Sequence, residues 1–199
     1  MARCTVIGMA HCVPGHAEDV TNAAAERLRG GAARSPDRLD AYLFEDRTDP
    51  NLFIYVGRWM SEAAFEAAFR QEGMFGQPDW YADRPTVSVY RPLWIYSEEL
   101  ARSKGATLTI VEGDATSASM IRQYLLDRRQ FSKPRDYGIV EVELGEDVRR
   151  EGRFMYFVRW RSLVEMESVR IQRGGSLRET LAEFGATMTG YDGRVRAET

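Results

Sequence analysis

Cysteine and histidine are scarce in this 199-residue chain: Cys4, Cys12, His11 and His16 are all there are. None stands at CxxC or His/Cys metal-ligand spacing, so neither a disulfide framework nor a zinc site is indicated, and a reducing compartment fits. Long apolar runs are missing too. No segment approaches the roughly 18 residues that cross a bilayer, and the opening MARCTVIGMAHCVPGH is too short and mixed in its apolar part for a signal peptide. Nor is there an excess of positive charge. Against 27 Lys and Arg stand 30 Asp and Glu, a net charge of −3, and the arginines are interspersed among carboxylates, so there is no basic field for nucleic acid. No G-x-G-x-x-G follows a strand pattern, which leaves a tightly held dinucleotide of the Rossmann kind unsupported. The expectation is a complete cytoplasmic protein that binds neither nucleic acid nor membrane.

What the chain does have is a repeat. Leu52 to Ser61 reads L-F-I-Y-V-G-R-W-M-S, and Arg153 to Ser162 reads R-F-M-Y-F-V-R-W-R-S. Phe53, Tyr55, Arg58, Trp59 and Ser61 recur as Phe154, Tyr156, Arg159, Trp160 and Ser162, each 101 residues on. An internal period of that length governs the fold. Two domains are expected, 1–97 and 106–199, joined by the charged linker 98–105. Each is small for an independent core, which predicts that the two bury a face against each other.

In the first copy Thr5, Ile7, Met9 and His11 share one face of a strand. Pro14-Gly15 ends it, and Val20, Ala23, Ala24 and Leu28 mark a helix from His16 to about Arg29, with Gly30-Gly31 as its stop. Asp40 to Glu45 and Leu52 to Trp59 form a hairpin across the turn-rich 46–51. A period of two puts Phe53, Tyr55, Gly57 and Trp59 on one face of the second strand and Leu52, Ile54, Val56 and Arg58 on the other. Both faces are largely apolar, so the strand should be covered on both sides. Ser61 caps a helix carrying Phe65 and Phe69 one turn apart. An irregular segment with Met74, Phe75, Trp80 and Tyr81 follows, then a strand, Thr86 to Tyr90, and an apolar arm, Pro92 to Tyr96. The second copy repeats strand Leu108 to Asp114, helix Ser117 to Arg129, and strands Tyr137 to Glu143 and Phe154 to Trp160. A helix from Ser162, a second short helix Ser176 to Phe184 and a strand near Met188 to Tyr191 complete it. Each copy reads β-α-β-β-α-β, the ferredoxin-like order, whose sheet leaves one face needing a partner.

The strand-end motif R-W-x-S-E-x-A-F at Arg58 to Phe65, with an aromatic helix and a strand ending V-x-V-Y after it, resembles the antibiotic biosynthesis monooxygenase domain of dimeric α+β barrel proteins. The likeness covers 3–96 well and 106–198 more loosely, since Leu163-Val164-Glu165-Met166 replaces the usual helix opening. It implies an α+β fold in which tandem ferredoxin-like repeats form a pseudo-dimeric α+β barrel, an intrachain pseudo-dimer that leaves a further homodimer open. It also implies oxygenation of an aromatic polyketide in antibiotic biosynthesis, anthrone to anthraquinone for instance, with O₂ as co-substrate and no cofactor, in a pocket between sheet and helices.

Such chemistry needs little machinery. A phenolic anthrone that loses a proton becomes a delocalised carbanion able to pass an electron to O₂, so the protein must bind, deprotonate and steady an anion in an aromatic-lined cavity. Trp59 and Tyr55, with Phe53, Phe65, Phe69 and Trp80, are the expected substrate-binding wall, and Tyr156 and Trp160 their counterparts; the plainer reading of each is a core aromatic. Arg58 and Arg159, on the opposite strand face, are expected in ion pairs at the sheet–sheet interface. Tyr90, like Tyr191, is placed to hydrogen-bond a substrate phenol or peroxide, or is a half-buried strand tyrosine. His11 is the natural general base, against the plainer reading of a satisfied strand-end histidine. His11, Trp59 and Tyr90 are thus the expected catalytic set. Aligning the first strands puts Asp114 opposite His11 and Glu112 opposite Met9, and the second copy lacks the Phe65/Phe69 pair, so the first copy is expected to work and the second to be structural.

Haem-degrading oxygenases share the fold but need a histidine late in the domain, and none follows His16. Three other readings stay open: a polyketide cyclase that needs no O₂, a ring-opening oxygenase fed by diffusible reduced flavin, and a non-catalytic protein that carries an aromatic ligand.

Overall fold

The computed structural model describes residues 3–29, 36–72, 78–98, 102–127 and 134–198. In chain order the elements are β1 (Cys4–His11), α1 (Ala17–Arg29), β2 (Arg38–Asp46), β3 (Leu52–Trp59), α2 (Glu62–Glu72) and β4 (Thr86–Ser97). Then come β5 (Gly105–Glu112), α3 (Ala118–Asp127), β6 (Ile139–Asp147), β7 (Arg153–Trp160), α4 (Leu163–Glu183) and β8 (Thr187–Glu198). It is an α+β fold in which the ferredoxin-like β-α-β-β-α-β order occurs twice. The expected helix stops at Gly30-Gly31 and Arg129, and the apolar Met74 and Phe75, lie outside the described residues.

The chain divides into two compact units, 1–91 with 193–199 and 92–192. The divisions fall inside β4 and β8, so each of these strands begins in one unit and ends in the other. In unit one the strands are ordered β4-β1-β3-β2-β8, with neighbours antiparallel. In unit two the order is β8-β5-β7-β6-β4.

The repeated sequence signals become repeated local structure. Asp46 ends β2 and accepts the backbone N–H groups of Thr48 and Asp49 at 2.8 and 2.9 Å, closing the hairpin as an Asx turn. Asp147, 101 residues on, does the same for Arg149 and Arg150 at 2.8 and 3.1 Å. Ser61 Oγ accepts the N–H of Ala64 at 3.1 Å and Ser162 Oγ that of Glu165 at 3.2 Å, caps worth about 1 kcal/mol each. β3 is buried along its whole length, as its two apolar faces require. On α1, Val20, Ala24 and Leu28 form the buried stripe, and a fully buried Val or Leu contributes roughly 1.5–3 kcal/mol.

Three expectations are corrected. The arm Pro92 to Tyr96 is no appendage but the continuation of β4, a strand of 12 residues; the N–H missing at Pro92 removes one donor without ending the ladder. The short helix expected at Ser176 to Phe184 is the end of a single 21-residue α4. Burial of Met166, Val169 and Leu181 holds that helix at both ends against the roughly 1 kcal/mol that each interior glycine costs. Finally, β1 pairs His11 with Leu52 and β5 pairs Glu112 with Arg153, so Glu112, not Asp114, occupies the slot of His11.

Candidate functional site

In unit one the register sets Cys4 beside Trp59, Val6 beside Gly57, Gly8 beside Tyr55 and Ala10 beside Phe53. Paired residues on adjacent strands point to the same side, and this is the side that α1 and α2 cover. Phe53, Tyr55, Trp59 and Phe65 are buried there in one cluster with Val20, Ala24 and Leu28, and Phe69, Trp80 and Tyr81 pack half-buried against it. Trp59 meets Phe65 edge-on with ring centroids 5.7 Å apart, and Phe65 meets Phe69 at 5.5 Å. At the rim Trp80 stacks on His16 at 6.1 Å, while His16 also holds Asp19 at 2.9 Å. The structure therefore brings together the expected wall residues of the first copy.

Gly57 decides where Tyr55 goes. A Cβ at position 57 would lie 2.0 Å from the Tyr55 hydroxyl oxygen and 2.4 Å from its Cζ, so the phenol lies along β3 over the glycine, toward Trp59. Burial pushes the Tyr55 pKa up to about 12, with Arg38 and the Trp59 N–H opposing the rise; the group stays a neutral phenol at physiological pH. Trp59 Nε1 is itself buried and meets no acceptor among the described residues with hydrogen-bond geometry, even though the Tyr55 oxygen is close enough to feel it. Farther along the same face a β-bridge joins Cys12 to Tyr81. Burial raises the Tyr81 phenol to about 12 against the opposing charge of Arg27, and burial also pushes the Cys12 thiol up.

The expected catalytic set is not assembled. Thr5 pairs with both Arg58 and Tyr90, so Tyr90, and His11 by alternation from Thr5, lie on the face away from Trp59. Tyr90 is fully buried there. His11 is exposed at the strand end, its Nε2 3.2 Å from Asp49 Oδ2. A ligand at Trp59 has neither group on its side of the sheet. Arg58 and Arg159 do make ion pairs, with Asp40 at 2.9 Å and Glu141 at 2.7 Å, each on the strand beside its own.

Unit two fills the same slots differently. Val158 stands where unit one has Gly57, and Thr107 where it has Val6. The Trp160 N–H donates to Thr107 Oγ1 at 3.0 Å, and the Thr107 hydroxyl donates to Asp192 at 2.8 Å. The Tyr156 hydroxyl is buried without a partner among the described residues, and burial alone pushes its pKa up. Tyr156, like Trp94, Tyr96 and Tyr137, packs against the buried cluster that holds Val158 and Trp160.

Sequence reasoning passed over Gly57, Arg38 and Cys12. Only the glycine carried a signal, since an isolated Gly within a strand marks a close approach. A polar cleft of about 350 Å³ opens elsewhere in unit one, lined by Glu18, Thr21, Asn22, Arg194, Val195 and Arg196. Among the described residues no three His, Cys, Asp or Glu side chains are placed to hold a metal ion, and no helix is long and apolar enough to cross a membrane.

Fold and site define an α+β protein with an aromatic, donor-bearing face under the helices of its first repeat. The model of the antibiotic biosynthesis monooxygenase family matches residues 4–74. The match lies within the first repeat, and Phe53, Tyr55, Gly57, Trp59, Phe65 and Phe69 all fall inside it. In structure the chain is similar to a candidate monooxygenase of Fusobacterium nucleatum subsp. nucleatum, at 10% identity and a TM-score of 0.80 over 99% of this chain and 94% of that one. It is similar to an anthrone oxidase-like protein, at 11% identity and a TM-score of 0.73 over 100% and 93%. It is also similar to a haem-degrading enzyme of Listeria monocytogenes, at 11% identity and a TM-score of 0.52 over 94% and 97%. At these identities the likeness is one of fold. No curated protein matches the sequence.

Proposed function

We propose that the helix-side face of unit one binds a phenolic aromatic polyketide and supports its oxygenation by O₂ without a resident cofactor, the anthrone-to-quinone type of reaction in antibiotic biosynthesis. The observation that carries this reading is the buried Trp59 N–H without an acceptor among the described residues, set in an aromatic face of the repeat that the monooxygenase family model matches. A buried donor left unpaired costs about 1–3 kcal/mol. A substrate oxygen recovers most of that when it carries negative charge, as the enolate oxygen of a deprotonated anthrone does, and a donor fixed in place needs no reorganisation as the charge develops.

Cys12, Tyr55 and Tyr81 are all held protonated, so they serve as donors rather than bases, and the acidic substrate proton leaves to water. The anion passes one electron to O₂, the resulting radicals combine at carbon, and the hydroperoxide loses water to give the quinone. One oxygen atom enters the product, the other leaves as water, and the substrate supplies every electron. Oxygen uptake on adding anthrone to the purified chain tests the proposal. Uptake matched by quinone formation, and unaffected by added reduced flavin, is the expected result. Uptake only with reduced flavin would move the chemistry to that cofactor, and tight binding without uptake would make the protein a carrier.

A further inference from the structure

We infer that positions 6 and 57, against their counterparts 107 and 158, decide which unit can offer its tryptophan N–H to a ligand oxygen, with Gly57 the positioning residue for Tyr55. This rests on the site proposed in unit one and deepens it by naming the residues that confine the site to that unit.

Both units carry Tyr and Trp in the same strand slots, so those residues do not distinguish them. What differs is beside them. In unit two the Trp160 N–H is taken by Thr107, itself anchored on Asp192, and a ligand oxygen could have that donor only by displacing a made hydrogen bond. Val6 has no oxygen to offer, and although the Tyr55 oxygen is near, Trp59 Nε1 meets no acceptor in hydrogen-bond geometry among the described residues. The phenol ring of Tyr55 occupies the space over Gly57, with ring and hydroxyl atoms 2.0 to 2.8 Å from where a Cβ would be. The branched Val158 closes that course to Tyr156, whose buried hydroxyl meets neither the Trp160 N–H, which Thr107 holds, nor any other hydrogen-bond partner among the described residues. A tryptophan donor and a tyrosine hydroxyl are therefore neighbours in unit one alone.

The test uses the full chain and 1,8-dihydroxyanthraquinone as probe, with titration calorimetry giving affinity and stoichiometry. The wild type should bind a single probe molecule, and Gly57→Ala should bind it roughly tenfold more weakly. In a Tyr55→Leu background the same glycine substitution should have no further effect, the signature of action through Tyr55. An equal loss in both backgrounds overturns the positioning role. Val6→Thr, which offers Trp59 an acceptor, should weaken the probe; unchanged affinity overturns the role of position 6. The pair Thr107→Val with Val158→Gly should create a second binding event, and a folded double variant that still takes one probe overturns the assignment. Should the probe not bind the wild type at all, the proposed function fails while the inference is still read by spectrophotometric titration of Tyr55. Gly57→Ala, which takes the hydroxyl away from Arg38 and the Trp59 N–H that oppose the rise, must then shift the titration of that phenol from about 12, and an unmoved titration overturns the inference.

Discussion

Tyr55 and Tyr156 occupy one slot of one repeat and end in different surroundings. Tyr55 lies along its strand over Gly57, near Trp59 and Arg38; the Tyr156 hydroxyl is buried with no partner among the described residues, and burial alone pushes its pKa up. Trp59 and Trp160 part in the same way, one with its N–H unpaired among the described residues and the other bound to Thr107. Yet the hairpin turns at Asp46 and Asp147, the caps at Ser61 and Ser162, and the ion pairs of Arg58 and Arg159 are reproduced slot for slot. Backbone signals act within a few residues and survive duplication. The chemistry of a face depends on the smallest residues beside the large ones, and two exchanges, Val for Thr and Gly for Val, are enough to change it.

The ion pairs give the largest expected separation between the units. The Glu141 and Arg159 side chains are 0% and 7% exposed, whereas Asp40, which holds Arg58, is 25% exposed. Glu141→Gln leaves a buried guanidinium uncompensated and should cost about 3–5 kcal/mol, Asp40→Asn clearly less. Equal shifts in the urea midpoint would mean that burial does not distinguish the pairs. Next come the tryptophans. Trp59→Phe removes a donor aimed at the developing anion and should lower kcat roughly 10²–10³-fold, while Trp160→Phe should leave turnover near wild type. Anthrone oxidation assays decide this, and a loss confined to the Trp160 variant would reverse the assignment of the units. Thr107→Val orphans the Trp160 N–H and should cost about 1–3 kcal/mol of stability; a change within error in denaturant unfolding would show the hydrogen bond to be dispensable.

The smallest effect is alkaline. The folded pKa of Tyr55 is about 12 against roughly 10 for a free phenol, so folding favours the protonated form. This contribution is complete below pH about 10 and is lost as pH rises through the folded value. Tyr55→Phe should move the onset of alkaline unfolding upward. An unchanged onset, followed by circular dichroism, would show that other groups control it.

Much of this could be read from the chain before folding, and the misses share a cause. Element order, strand alternation, the caps and the aromatic face of β3 follow from periods of two and 3.6 and from residues a few positions apart, and these appeared where expected. His11, Trp59 and Tyr90 did not come together, because alternation within a strand does not say which faces of two strands coincide; the pairing of Thr5 with Arg58 and Tyr90 does. Asp114 was matched to His11 for the same reason, a register slipped by two residues. By itself the sequence determined a duplicated β-α-β-β-α-β chain with Phe53, Tyr55 and Trp59 on one side of a buried strand, since local sterics and hydrophobic period are enough for that. Only the tertiary structure decided that Gly57 makes room for a phenol and that Thr107, held by Asp192 from 85 residues away, takes the donor of Trp160, because those outcomes depend on distances between side chains that no spacing in the chain encodes.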